Sequence, residues 1–210
     1  MKLAILVSSG GAAFEQVARI VRHDGIDFTV ITDRPCGAEA VASRVDANHI
    51  RIEERDRRLF SAKVAASLGD LRIDNLLLFF DRLVSKELFD HVDTFNIHPA
   101  ALPAFKGLRG VEDAYQAKVR LLGCSLHRVD QSMDGGELVS QIACGVDPQW
   151  SLSRWQKRAY LMKVYCGLVW VSQALRIEIP RTPVNASHGL PEKWMASFRE
   201  LQALEGETVV

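Results

Sequence analysis

The chain has 210 residues, of which 48% are hydrophobic and 25% are charged. This length and composition are typical of one globular domain and exclude a disordered or fibrous protein. Lysine plus arginine equals aspartate plus glutamate, at 26 each, so no global field attracts nucleic acid or acidic lipid. We therefore expect a small-molecule partner, with no nucleic acid and no membrane.

The cysteines and the first residues indicate where the protein works. The four cysteines are widely spaced and include no CxxC pair, so neither a zinc site nor a disulfide framework is expected. Met1 is followed at once by a strand-like run instead of a secretory signal. The most apolar stretch, residues 161–179, carries charged side chains before a membrane-spanning length is reached. A cytoplasmic protein with no metal site is expected.

Short apolar runs alternate with helical spacing along the first half of the chain. Residues 2–8 form the first run, end at a Ser/Gly turn and are followed by helical spacing from Phe14 to Val21. Further strands are predicted at 28–32, 49–52, 75–80 and 94–98, and helices at 38–44 and 57–68. Residues 51–58 mix basic and acidic side chains, which predicts a solvated helix face. Apolar strands alternating with helices predict a mostly parallel sheet covered on both faces.

The pattern changes beyond Gly123. Residues 124–129 and 138–143 predict two strands joined by a turn at 133–136, and therefore an antiparallel or mixed sheet edge. A long helix is predicted from about 153 to 175 and another from 192 to 204, with a Pro-rich surface crossing at 180–191. The prediction is an α/β fold, with one domain over residues 1–179 and a C-terminal tail, 180–210, packed on that domain.

Polar residues that suit acyl chemistry follow one of the predicted strands. Ligands of open parallel sheets bind beyond the carboxyl ends of the strands. Asn96 and His98 lie two residues apart, so both project to one face of the strand. An amide donates a hydrogen bond to an oxygen that gains negative charge, and an imidazole holds or relays a proton near neutral pH. Asp134, in a Gly-rich turn, adds a carboxylate. Taken alone, each of these three residues is more often structural than catalytic.

The order of these residues resembles the folate-dependent formyltransferases. FNIHPAALP, residues 95–103, and GCSLHRVDQSMDGG, residues 123–136, match a pattern of N-x-H-x-S-x-L-P followed by G-x-S/T-x-H and then D-x-G or D-G-G. The resemblance covers about residues 1–175 and looks closest to the small glycinamide ribonucleotide transformylase branch. It implies a Rossmann-like formyltransferase fold, with 10-formyltetrahydrofolate as the formyl donor and a small-molecule amine as the acceptor.

The resemblance also implies a mechanism and carries the catalytic roles to Asn96, His98 and Asp134. An amine of the acceptor attacks the formyl carbon on N10 of the folate. Asn96 and His98 would stabilise the oxyanion, while Asp134 and an ordered water would support His98 and carry protons toward N10. Neither a metal nor a covalent enzyme intermediate is required. His127 in the G-x-S-x-H strand is equally consistent with a structural and a catalytic role.

The same resemblance implies binding residues. Residues 80–85, FDRLVS, match a family segment of the kind F-M-R-I-L-S, with Asp81 in place of an apolar residue. This segment and residues 129–134 are expected to hold the pterin ring of the folate. The folate-binding candidates are Phe80, Arg82, Leu83, Val84, Val129, Asp130 and Met133. The acceptor-binding candidates are Gly10, Gly11, Ala12, Ile97 and Pro99.

Three departures from the family pattern bear on the acceptor. The ribonucleotide transformylases have a first loop of the form S-G-x-G-S-N that holds the substrate phosphate, whereas residues 8–13 here read SSGGAA. Backbone amides at the helix start remain available for an anion, but both side-chain donors are gone. Ala100 replaces the usual serine, and an acidic position on the late helix falls at Leu161. The chemistry is expected to remain, and the acceptor is left open.

Four functions therefore stay in consideration. The first is a glycinamide ribonucleotide transformylase-like N-formyltransferase of purine biosynthesis, and the second acts on an amino sugar nucleotide or specialised metabolite. The third is a 10-formyltetrahydrofolate hydrolase, which residues 104–123 resemble, although the chain lacks the N-terminal regulatory domain usual there. The fourth, a non-catalytic folate-binding module, is disfavoured because all three polar residues are kept. A monomer or homodimer is expected.

Overall fold

A computed structural model describes residues 1–177 and 190–209. The predicted surface crossing at 180–191 lies outside the described residues, apart from its last two positions. The predicted boundary between residues 179 and 180 lies outside them as well.

The described residues form seven strands and seven helices. The strands are β1 Lys2–Val7, β2 Asp27–Thr32, β3 Asn48–Arg51, β4 Asn75–Phe79, β5 Asp93–His98, β6 Leu121–Arg128 and β7 Leu138–Gly145. The helices are α1 Ala12–Ile20, α2 Gly37–Arg44, α3 Arg57–Leu71, α4 Lys86–Phe89, α5 Gly110–Gln116, α6 Leu152–Ala174 and α7 Glu192–Glu205.

The strands form one mixed sheet in the order β3-β2-β1-β4-β5-β6-β7. The pairs among β1, β2, β3, β4 and β5 are parallel, and β7 pairs with β6 in the antiparallel sense. This arrangement confirms the predicted α/β fold with a mostly parallel sheet and an antiparallel edge. Every predicted strand and helix is present, with β6 starting three residues earlier than expected.

Three local features differ from the prediction or were missed by it. The short helices α4 and α5, of four and seven residues, were not predicted because so few turns leave no periodic pattern. The predicted helix face at residues 51–58 is wrong, since Arg51 ends β3 and α3 begins only at Arg57. Asp56 sets that start, because its side chain accepts hydrogen bonds from the backbone amides of Arg58 and Leu59 at 2.9 Å.

Contacts divide the chain into two compact units, of which the first comprises Met1–Asn96 and Arg128–Glu137. In this unit β1 lies between β2 and β4, and five of its six residues are buried. Burial on both faces explains the continuous apolar run of the strand. The side chains of β1, β4 and α3 share one core cluster that includes Leu6, Phe60, Val64 and Leu76.

The second unit comprises Ile97–His127 and the described part of Leu138–Val210. Its 23-residue helix α6 is buried along most of its length. The largest fully buried side chains of the unit include Trp155 and Trp170 on α6 and Trp194 on α7. The buried carboxylate of Glu207 accepts hydrogen bonds from Arg154 Nε at 2.6 Å and Arg158 Nε at 2.8 Å. These bonds attach the segment after α7 to α6.

Gly123 of β6 lies against the backbone of the loop that follows β5. An ideal Cβ placed on Gly123 would lie 2.6 Å from the backbone nitrogen of Ala101 and 2.7 Å from its Cα. Backbone atoms cannot rotate away as the end of a flexible side chain can. The glycine of the G-x-S-x-H pattern is therefore required for packing.

We expect Gly123→Ala to lower the free energy of unfolding by about 1–3 kcal/mol, because the added methyl group forces the two segments apart. Gly145→Ala in the partner strand β7 is the matched control, since no described atom lies within 4 Å of its ideal Cβ. Urea unfolding followed by circular dichroism measures both variants. Equal unfolding midpoints for the two substitutions would contradict the packing argument.

Candidate active site

Asn96 and Asp134 come together in the first unit. Asn96 is half-buried near the carboxyl end of β5, and its Nδ2 lies 3.5 Å from Oδ1 of Asp134. This distance is at the long end for an N–H···O hydrogen bond, and it makes the amide and the carboxylate direct neighbours. The structure thus joins two candidates that are 38 residues apart in sequence.

The loop that carries Asp134 is closed at its base. The backbone amide of Arg128 donates to the carbonyl of Glu137 at 2.9 Å. A Cβ on Gly136 would overlap the carbonyl oxygen of Arg128, so this position accepts only glycine without a backbone shift. Asp134 itself has a φ of 49°, in the left-handed region that Asp and Asn tolerate better than most residues. The conformation of the turn therefore requires glycine at position 136 and favours Asp or Asn at position 134.

The same loop is anchored on β5. The backbone amide of Val129 donates to the carbonyl of Thr94 at 2.8 Å, two residues before Asn96. The Arg128 side chain pairs with Asp93 at 2.9 Å and lies 4.9 Å from the ring centroid of Phe95. These contacts fix the start of the Asp134 loop relative to Asn96.

His98 belongs to the second unit, where its side chain is buried. Its Nε2 lies 2.7 Å from the carbonyl oxygen of Phe105. A carbonyl oxygen only accepts hydrogen bonds, so Nε2 carries the proton in this geometry. The second nitrogen, Nδ1, then holds the lone pair of the neutral ring and is where a second proton binds. Sequence reasoning missed Phe105, because its backbone and not its side chain takes part.

Gly110, at the start of α5, gives the His98 ring its space. An ideal Cβ on Gly110 would lie 3.1 Å from Nε2 of His98 and 3.3 Å from Cε1. The glycine lies in the segment GLRGVEDA, and its spacing from a distant histidine carries no signal in a single sequence. The structure adds Gly110 to the residues that position His98.

Ser125 of β6 explains the serine of the G-x-S-x-H pattern. Its hydroxyl donates to the carbonyl of Ala100 at 2.7 Å and accepts from the amide of Leu102 at 3.0 Å and from Gln141 Nε2 at 2.9 Å. Ser125 therefore holds the loop that follows β5. His127, two residues further along β6, is buried as well.

The two departures at Ala100 and Leu161 both lie in the interior of the second unit. Ala100 is 1% exposed and Leu161 is fully buried in α6. Neither side chain is available to contact a ligand directly.

Five of the seven folate-binding candidates are apolar, and all seven lie in the first unit. Phe80, Val84 and Val129 are partly buried against the core, while Leu83 and Met133 are 48% and 51% exposed. Exposed leucine and methionine side chains suit the face of a flat heterocyclic ring, so the residues fit a pterin. Asp130 is used within its own turn, where Oδ1 accepts from the amide of Ser132 at 2.7 Å.

Arg82 is engaged by its own protein. Its guanidinium donates to Oδ2 of Asp33 at 3.0 Å and to the carbonyls of Glu54 and Arg55 at 3.1 Å. It also lies 5.0 Å from the ring centroid of Phe60. This arrangement gives Arg82 a role in holding the strand ends, and its contact with folate stays a prediction.

The acceptor-binding candidates divide into an exposed loop and a buried strand. Gly10 and Ala12 are exposed, and Gly11 has a φ of 73° at the start of α1. Ile97 is 5% exposed and alternates with Asn96 and His98 along β5, so only its backbone can meet an acceptor. Pro99 is half-buried. The binding roles of all five candidates stay predictions.

Metal-ligand clusters and membrane-spanning helices are both absent from the part of the chain that the structure describes. Residues 1–177 and 190–209 contain no group of three or more His, Cys, Asp or Glu side chains arranged to hold a metal ion. None of the helices in those ranges is both long and apolar enough to cross a membrane.

Residues 1–163 match the family model described as formyl transferase, so the chain belongs to the formyl transferase family. Its relatives include phosphoribosylglycinamide formyltransferase of Bacillus subtilis (strain 168), 28% identical over 174 residues that cover 77% of this chain and 88% of that protein. The protein of the same name from Mycobacterium tuberculosis (strain ATCC 25618 / H37Rv) is 28% identical over 151 residues, which cover 67% of this chain and 69% of that protein.

Solved structures show the same fold. Glycinamide ribonucleotide transformylase 1 from Symbiobacterium toebii matches with a TM-score of 0.76 at 24% identity, covering 86% of this chain and 91% of that chain. Phosphoribosylglycinamide formyltransferase from Streptococcus pneumoniae TIGR4 matches with a TM-score of 0.75 at 24% identity, covering 83% and 98%. The predicted family is confirmed: the chain is a formyltransferase, and 10-formyltetrahydrofolate is its formyl donor.

We expect Gly110→Ala to displace the His98 ring by a few tenths of an ångström and to lower the rate of formyl transfer about tenfold. Nitrogen-detected NMR of the imidazole gives a readout that needs no acceptor: the neutral form of the native ring carries its proton on Nε2, and the variant loses this tautomer signature. Gly69→Ala on α3 is the control, since no described atom lies within 4 Å of its ideal Cβ. A native His98 spectrum in Gly110→Ala would refute the positioning role.

Proposed function

We propose that the chain transfers the formyl group to a small-molecule primary amine, with Asn96, His98 and Asp134 as catalytic residues. The observation that carries this proposal is the 3.5 Å separation between the Asn96 amide and the Asp134 carboxylate at the end of β5. His98 follows Asn96 by two residues on the same strand, and alternate residues of a strand project from one face.

The amide and the imidazole have complementary roles. 10-Formyltetrahydrofolate supplies a formyl carbon bound to N10, which the amine attacks. Asn96 donates from Nδ2 to the formyl oxygen as that oxygen gains negative charge. His98, with its Nε2 proton committed to Phe105, donates from Nδ1 when it is protonated. Both proposed donors are carried by one strand, β5.

The carboxylate balances the protons. The attacking amine must lose a proton, and N10 must gain one as it leaves. Asp134, directly or through a water, takes the first proton and returns one toward N10, so that the enzyme ends the cycle unchanged. The separation of 3.5 Å from Asn96 Nδ2 also lets Asp134 orient the amide so that its N–H group faces the substrate.

The binding surfaces follow from the same edge of the sheet. We propose that Phe80, Leu83, Val84, Val129 and Met133 hold the pterin ring through their apolar side chains and nearby backbone groups. Half-exposed Leu83 and Met133 support this role, because large hydrophobic side chains gain most from being covered.

Two kinds of acceptor amine are candidates. Glycinamide ribonucleotide is the first compound to test, because the relatives are phosphoribosylglycinamide formyltransferases. An amino sugar nucleotide or a specialised metabolite is the second candidate. It is favoured by the loop at residues 8–13, in which residues 10–13, GGAA, provide no side-chain donor at the start of α1.

The tail, oligomeric state and location complete the proposal. We propose one domain over residues 1–179 and a tail over 180–210 that packs on it, which the pairing of Glu207 with Arg154 and Arg158 supports. A monomer or homodimer in the cytoplasm fits a small-molecule enzyme with no net charge.

The test is to mix the protein with a 10-formyl folate analogue and follow the deformylated product by absorbance, first alone and then with candidate amines. Release only with an amine supports the transferase, release with water alone indicates a hydrolase, and binding without release indicates a folate-binding module. Asp134→Asn and His98→Ala are each expected to lower turnover by about 10²-fold or more while the fold remains intact.

Asp70→Asn on the exposed end of α3 is the control, because it removes an equal charge near the start of β4, at the opposite end of that strand from the level of Asn96. Near-normal turnover in either site variant would remove that residue from the catalytic set. Circular dichroism confirms that each variant is folded before its rate is interpreted.

A further inference from the structure

The ends of β1, β2 and β4 carry an interlinked set of polar and charged side chains. Leu6 of β1 is level with Ile31 of β2 and Leu78 of β4, and Leu78 is level with Asn96 of β5. The residues two or three positions further along these strands are Ser8, Asp33 and Asp81. They therefore lie at the same edge of the sheet as the end of β5, on the side where ligands bind.

The spacing between neighbouring strands sets how far an acceptor molecule bound beside Asn96 extends along this edge. Neighbouring strands are about 4.8 Å apart, so β4 lies about 5 Å and β1 about 10 Å from β5. An amine held beside Asn96 therefore brings the other end of a molecule of about 10 Å to the ends of β4 and β1. The side chains at those two strand ends select the distal part of the acceptor.

Asp81 is the centre of the set. Its Oδ1 accepts from the Ser8 hydroxyl at 2.7 Å and from Arg34 Nη2 at 2.6 Å. The Asp81 backbone amide donates to Ser8 Oγ at 3.1 Å. The Asp81 side chain is still 59% exposed, so its negative charge faces whatever occupies the edge.

The two cations of the set are already neutralised. Arg34 contacts Asp81 and also lies 3.1 Å from Asp33 Oδ1. Arg82 donates to Asp33 Oδ2 and to two backbone carbonyls. The side chains of Asp33, Arg34, Asp81 and Arg82 therefore sum to zero charge, and the Ser8 hydroxyl is directed at a carboxylate.

The exposed carboxylate of this edge is that of Asp81. Asp33 is only 4% exposed and pairs with Arg34 and Arg82, so its carboxylate is directed at those two cations. Gly10, Gly11 and Ala12, at the start of α1, add no side-chain donor. A phosphate dianion would meet the exposed Asp81 carboxylate here, whereas hydroxyl or N–H groups would meet acceptors.

We infer that Asp81 is a specificity-determining residue that excludes a phosphomonoester from the distal end of the acceptor and selects a primary amine whose far end carries hydroxyl or N–H groups. This inference rests on the proposed formyl transfer to an amine and deepens it. Loss of the Asp81 charge leaves Arg34 paired with Asp33 alone, so the local charge changes from zero to plus one, which favours a phosphate.

The first experiment uses inorganic phosphate and needs no turnover. Backbone amide shifts of Gly10 and Gly11 are followed by NMR during titration of the wild type, Asp81→Asn and Asp70→Asn. We expect Asp81→Asn to bind phosphate about tenfold more tightly than the wild type, and Asp70→Asn to behave as the wild type does. The double variant Asp81→Asn with Arg34→Met is expected to lose the gain.

The second experiment compares formyl transfer to glycinamide ribonucleotide with transfer to its dephosphorylated riboside. We expect the wild type to have the higher kcat/KM with the riboside, and Asp81→Asn to shift the ratio toward the ribonucleotide about tenfold.

The inference is overturned if wild type and Asp81→Asn bind phosphate equally, if neither binds it, or if the wild type prefers the ribonucleotide. Absence of transfer to any amine by any variant would instead defeat the proposed function, and the phosphate titration would still decide the role of Asp81.

Discussion

The parallel register of the first unit is the constraint on which the functional surfaces depend. Because Leu6, Ile31, Leu78 and Asn96 lie at one level, four strands end together and deliver their following residues to one edge. Hydrophobic burial on both faces of β1 and β4 holds this register, since a slip of one residue would exchange the side chains between the faces. The fold tolerates polar residues at the strand ends because burial of the almost entirely apolar strands stabilises it.

Much of the fold could be predicted from the sequence, because the strands are continuous apolar runs and the longer helices have periodic spacing. Asn96, His98 and Asp134 could be selected because their order matches a family pattern, which membership of the formyl transferase family supports. Contacts that are made by backbone atoms, or that are possible only because a glycine has no side chain, could not be predicted from the sequence. The carbonyl of Phe105 and the close approaches of Gly110 and Gly123 depend on three-dimensional packing between distant segments.

Arg82 shows how a correct alignment leaves the role of a residue open. Its position matches a family arginine, yet in this chain the guanidinium is taken up by Asp33 and two backbone carbonyls. The sequence contains both Asp33 and Asp81, but neither has a periodic or motif signal that links them to Arg34 and Arg82. Charge pairing between loops depends on the strand order, which brings β2, β1 and β4 side by side.

The bond between His98 and the Phe105 carbonyl has a consequence for how the ring responds to acidity. One nitrogen keeps its proton in both charge states, so gaining or losing the other proton changes the charge of the imidazole without turning it. The orientation of the buried ring is therefore set by the loop that follows β5 and not by the charge of the imidazole.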